Sequence, residues 1–120
     1  LLRKSVHGSL KTGIKLVIAG SIIQMISGFG DSLSHDLFGI DGLVSLSHQP
    51  LEFGLILASL GAVLIIKNRE HTKLKLFLPF SIMAFLFFVT WLLFNLVLTF
   101  GHTVQCIQIH VIFSSGCSIL

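Results

Sequence analysis

Long apolar runs alternate along the chain with short polar segments. Leu16 to Phe29 (LVIAGSIIQMISGF) is the first run, Leu51 to Ile66 (LEFGLILASLGAVLII) the second, and Leu76 to Phe100 a longer, Phe-rich third. With its flanks, each reaches the roughly 20 residues a helix needs to cross a ~30 Å hydrocarbon core. Val104 to Leu120 is a weaker fourth run, entered through a turn at Gly101-His102. The pattern predicts an all-α fold, a polytopic integral membrane helical bundle forming one domain over residues 1–120. Its helices are expected at about 12–38, 50–67, 75–100 and, for the weaker run, 104–120. The first helix should run past Gly30 to about Phe38, because the next turn signals are Gly39 and Asp41-Gly42. Pro50 stands where a helix best accepts proline, in its first turn. The third run exceeds the hydrocarbon thickness, so tilt or a kink is expected near Pro79.

Within the second run Gly54, Ala58 and Ala62 recur every four residues, a stripe of small side chains that lets membrane helices approach closely. It lies nearly opposite Glu52 on the helix. If Glu52 faces the polar stretch described below, the stripe must pack on another helix or subunit.

Composition agrees with the pattern. Hydrophobic residues make up 53% of the chain and charged residues 11%, and the mean hydropathy is +0.95. A soluble domain carries about a quarter charged residues. The net charge of +3 does not indicate nucleic acid, because the basic residues cluster at helix ends, where topology accounts for them. Arg3, Lys4, Lys11 and Lys15 precede the first run, and Lys67, Arg69, Lys73 and Lys75 follow the second. Two crossings separate these groups, so both belong on one side of the membrane. The positive-inside rule makes that side, and the N-terminus, cytoplasmic. The chain opens without methionine and stops inside an apolar run, so one or both natural ends are expected beyond it. It has no signal-peptide pattern, and the first run is suited to act as an uncleaved anchor. Cys106 and Cys117 form neither a CxxC nor a disulfide framework and are read as packing residues.

The candidate chemistry lies in Gly30 to Glu52, GDSLSHDLFGIDGLVSLSHQPLE. This stretch holds four of the five acidic residues and two of the six histidines, with no Lys or Arg. Asp31 and His35 share a helix face one turn apart. Ser27, Gln24 and Gly20 continue that face toward the membrane, as expected of a side turned to protein or water. His48 and Glu52 repeat the spacing beyond the loop, with His48 at or just before the helix start. Two antiparallel helices could gather all four residues at the outer rim. Two imidazoles with carboxylates suit copper, zinc or iron better than magnesium or calcium. A metal would also offset the cost of carboxylates near the bilayer interior. The competing reading makes Asp31 and Asp36 solvated charges, Asp41 the acid of an Asp-Gly turn, and the two histidines interfacial anchors.

These residues carry a resemblance. Asp31-x3-His35-x12-His48, with Asp41 between the histidines, resembles the copper-site motif in the C subunit of the copper membrane monooxygenases, the particulate methane and ammonia monooxygenases. It covers roughly residues 16–66. It implies copper held by Asp31, His35 and His48 near the outer face of the cell membrane, partner subunits in a hetero-oligomeric complex, and oxidoreductase activity of the ammonia- or methane-oxidising type. An acid at the position of Asp41 recurs in ammonia-oxidising members. The family's second motif, Asn-x3-His, is not reproduced, since Thr99 follows Asn95 at that spacing. Glu52 is expected behind the ligands, orienting a histidine or passing a proton, with Asp41, Gln24 and His102 as further polar groups around the site.

Two other classes stay open. A non-catalytic structural or accessory subunit would use the helices and the small-residue stripe alone. A proton-conducting module would use Gln24, Asp31, Glu52 and His102 as a path, but it would need ionisable groups deeper in the bilayer.

Overall fold

The computed structural model describes residues 2–38, 47–69 and 73–100. These form helix α1 (Leu2–Phe38), helix α2 (Gln49–Lys67), a 3-10 turn (Lys73–Phe77) and helix α3 (Leu78–Phe100). The three α-helices are each long and apolar enough to cross a membrane. The fourth run at 104–120, the Gly101-His102 turn and the Asp41-Gly42 turn lie outside the described residues.

Helix α1 begins ten residues earlier than its apolar run suggested. No proline interrupts Leu2 to Lys15, and its lysines and leucines are good helix formers, so nothing stops the helix from extending into the basic segment. At 37 residues it is ~55 Å long and outreaches the hydrocarbon core. Lys15 and His35 stand ~30 Å apart along it, one hydrocarbon thickness.

Helix α2 starts at Gln49, with His48 as N-cap and Pro50 in its first turn. His48 has helical dihedrals (φ −79, ψ −26) and makes no side-chain cap bond, while its carbonyl accepts the Glu52 amide at 3.0 Å. At the other end Asn68 closes the helix. Its side-chain Nδ2 donates to the Leu64 carbonyl at 2.7 Å, and the Arg69 amide donates to Ile66 at 3.0 Å. Those bonds occupy carbonyls that the helix end would otherwise leave open.

Helices α1 and α2 pack antiparallel along a seam of glycines. A Cβ placed on Gly20 would lie 2.5 Å from the Gly54 carbonyl oxygen and 2.7 Å from the Ala58 nitrogen. One placed on Gly61 would lie 2.6 Å from the Gly13 carbonyl oxygen. The backbones therefore touch, close enough for Cα–H to carbonyl contacts. Along α1 the seam runs through Gly13, Val17, Gly20 and Gln24, alternating steps of four and three. Continued through Ser27, it reaches Asp31.

Gly54 and Ala58, two of the three stripe residues, thus pack on α1 itself, the helix that carries Asp31. Gly61 joins this seam through the seven-residue spacing from Gly54. Glu52, on the opposite face of α2, turns to α3. Helix α2 lies between its neighbours, and α1 and α3 do not touch among the described residues.

Among the described residues no hydrophobic side chain is buried. Those buried are Gly13, Gly20, Gly54, Gly61, Glu52 and Asn95. Met25, Phe29, Leu76 and Met83 are each at least two-thirds exposed. A chain that puts glycine and polar groups inside and apolar groups outside is built for an apolar solvent.

Candidate metal centre

The glycine seam fixes where Asp31 points. It lies on the face of α1 that meets α2, so its carboxylate turns toward the start of α2. His35 follows one turn later on α1, near the helix end at Phe38. His48 enters from the other side of the loop. Its Nε2 lies 3.4 Å from Asp31 Oδ2, and His35 Nε2 lies 3.1 Å from the same oxygen. The imidazole rings meet edge to face, with centroids 5.7 Å apart and planes at 85°.

One ligand atom from each of Asp31, His35 and His48 can be chosen so that all lie within 4.8 Å of one another. The side chains are 15%, 26% and 27% exposed, so each is largely but not wholly covered. Asp31 Oδ1 is buried and has no hydrogen-bond partner among the described residues. A buried carboxylate oxygen without a donor is costly. The donor set fits a transition metal, with two neutral nitrogens, one anionic oxygen and an orphaned carboxylate oxygen at the focus. A metal would take the Nε2 lone pairs, so its bonds would replace the His35–Asp31 hydrogen bond and the His48–Asp31 contact and not add to them.

Glu52 lies one turn beyond His48 on α2 and belongs to a second polar cluster. Trp91 Nε1 donates to Glu52 Oε1 at 3.0 Å, and Asn95 Nδ2 donates to the same oxygen. Glu52 and Asn95 are both buried. Sequence reasoning did not foresee Trp91 and Asn95 as its partners. The available signal was the Trp91-x3-Asn95 spacing, which puts two side-chain donors on one face of an otherwise apolar helix.

Gln24 sits seven residues below Asp31 on the same seam, its Cγ packed over Gly54. It belongs to the helix contact and not to the Asp31 cluster. Asp36, also on α1, is exposed. Asp41 and His102 lie outside the described residues. No protein family, curated protein or solved structure matches this chain.

Proposed function

We propose that Asp31, His35 and His48 bind a transition metal, copper by preference, at the outer rim of the membrane. In this reading the chain is a small subunit of a larger membrane complex, related to the C subunit of the copper membrane monooxygenases. Zinc and iron fit the same donors less selectively. The observation that carries the reading is the convergence of three ligand atoms, from α1 and the start of α2, around a half-buried carboxylate whose buried second oxygen has no partner among the described residues.

The orientation follows from charge. The antiparallel seam puts the N-terminal part of α1 and the C-terminal end of α2 at one end of the molecule, and all eight Lys and Arg fall there. By the positive-inside rule that end is cytoplasmic, so the Asp31 cluster faces outward.

A bound copper ion, held by Asp31, His35 and His48, would supply redox chemistry. The chain's own residues do the rest. Asp31 brings the charge that favours a cation at a depth where an unpaired carboxylate is expensive. His35 is held by a helix and His48 by the start of another, so the site exists only while α1 and α2 are docked. Glu52 anchors the first turn of α2 to α3 and thereby sets where His48 stands. The three described helices offer little surface to enclose a substrate, so oxidation of ammonia or methane would require partner subunits.

Electron paramagnetic resonance of the copper-loaded complex tests the reading. Nitrogen couplings from both imidazoles are expected, with part of them lost in His35→Ala and again in His48→Ala. Spectra unchanged in both variants would place the copper elsewhere. A second reading, a structural subunit, rests on one observation: Asp31 Oδ2 lies 3.1 Å from His35 Nε2 and 3.4 Å from His48 Nε2, so the carboxylate can clamp α1 to the start of α2 without a metal.

A further inference from the structure

The basic end of α1 holds a groove that the metal reading does not use. It has a volume of about 520 Å³, and its described lining is His7, Gly8, Leu10, Lys11, Ile14 and Lys15. The groove is open, and its described lining all comes from α1. Lys11 and Lys15 are four residues apart and exposed, so both cations stand on one helix face a turn apart. At about 100° per residue, each is turned roughly 160° from Gly13, and so away from α2. A Cβ on Gly8 would meet nothing within 4 Å, so that side of the groove is open.

Chemistry changes abruptly along this face. Ile14, Ile18 and Ile22 continue it toward the membrane centre at four-residue spacing, 46%, 54% and 51% exposed. Lys15 marks the depth at which cation gives way to hydrocarbon, ~30 Å from His35. No acidic residue lies between Leu1 and Gly30 to neutralise the lysines from the same helix.

We propose that this groove binds one anionic phospholipid, its phosphate held by Lys11 and Lys15 and its acyl chains laid along Ile14, Ile18 and Ile22. A free phosphate or a nucleotide would use the lysines but leave the isoleucines unused. The lipid satisfies both halves of the face at the depth where each occurs. The inference is independent of the metal site, which lies at the opposite end of α1.

The test uses the full chain reconstituted in nanodiscs of phosphatidylcholine containing a minority of phosphatidylglycerol, with retained lipid read by native mass spectrometry. Phosphatidylglycerol should be retained selectively. Lys11→Gln with Lys15→Gln should reduce its affinity on the order of tenfold or more, and Lys11→Arg with Lys15→Arg should restore it. The control is Lys73→Gln with Lys75→Gln, which removes equal charge from the same end but outside the groove, and it should change retention much less. Equal retention by wild type and the Lys11/Lys15 glutamine variant would overturn the proposal. So would an equal loss in the Lys73/Lys75 control, which would mean a diffuse surface charge. Inorganic phosphate displacing the lipid as effectively as soluble short-chain phosphatidylglycerol would also overturn it, because the isoleucines would then contribute nothing.

Discussion

His48 and Glu52 stand one turn apart on α2, joined by a backbone hydrogen bond of 3.0 Å, yet they serve different helices. His48 reaches Asp31 on α1, whereas Glu52 accepts hydrogen bonds from Trp91 and Asn95 on α3. The first turn of α2 is therefore the point where both helix contacts and the candidate metal centre meet. A disturbance on either side should be felt at His48.

Glu52→Ala should destabilise the protein by roughly 2–4 kcal/mol, because it strips the acceptor from two donors, one of them on a fully buried asparagine. Glu52→Gln keeps an acceptor oxygen and should cost much less. Thermal melts in detergent, followed by circular dichroism, compare the two. Equal losses would show that charge and not hydrogen bonding holds α3 to α2.

The glycine seam makes a sharper prediction. Gly20→Ala places a methyl group against backbone atoms of Gly54 and Ala58 and should cost about 1–3 kcal/mol. It should also weaken metal binding, since Asp31 meets His48 only while the helices are in contact. Gly30→Ala, on the same helix but with nothing within 4 Å of the new Cβ, should be neutral or slightly stabilising. Similar melting shifts in both variants would contradict the close approach.

Much of this arrangement was legible in the sequence, and the parts that were not share a cause. Run lengths and Pro50 located α2 and α3 to within a few residues, and the spacing of Asp31, His35 and His48 about a short loop was enough to suggest their convergence. Helical periodicity gives the angle between two faces but not which neighbour each face meets. Glu52 and the Gly54/Ala58 stripe were correctly set on opposite sides of α2. That the stripe meets α1 and Glu52 meets α3 depends on how three helices are ordered in space. The early start of α1 was hidden because apolar content marks membrane depth, whereas a helix continues until something breaks it.

Topology provides an independent check. In a background with Cys106 and Cys117 replaced by serine, Asp36→Cys should react with a membrane-impermeant maleimide from outside intact cells. Lys73→Cys should react only after the membrane is opened. The reverse pattern would put the Asp31 cluster on the cytoplasmic side.

Asp31→Asn tests the donor chemistry directly. It preserves shape while removing the negative charge, so it should weaken metal affinity by at least roughly tenfold without unfolding the chain. Competition with a graded series of chelators reads the change, and unchanged affinity would remove Asp31 from the ligand set.

The most direct measurement is the copper, zinc and iron content of the purified native membrane complex, beside the same preparation carrying His48→Ala. About one equivalent of metal per chain is expected, copper in preference, lost in the variant while the complex stays assembled. Equal metal in both preparations, or none in either after growth in copper-replete medium, would contradict that expectation and leave this chain a scaffold subunit.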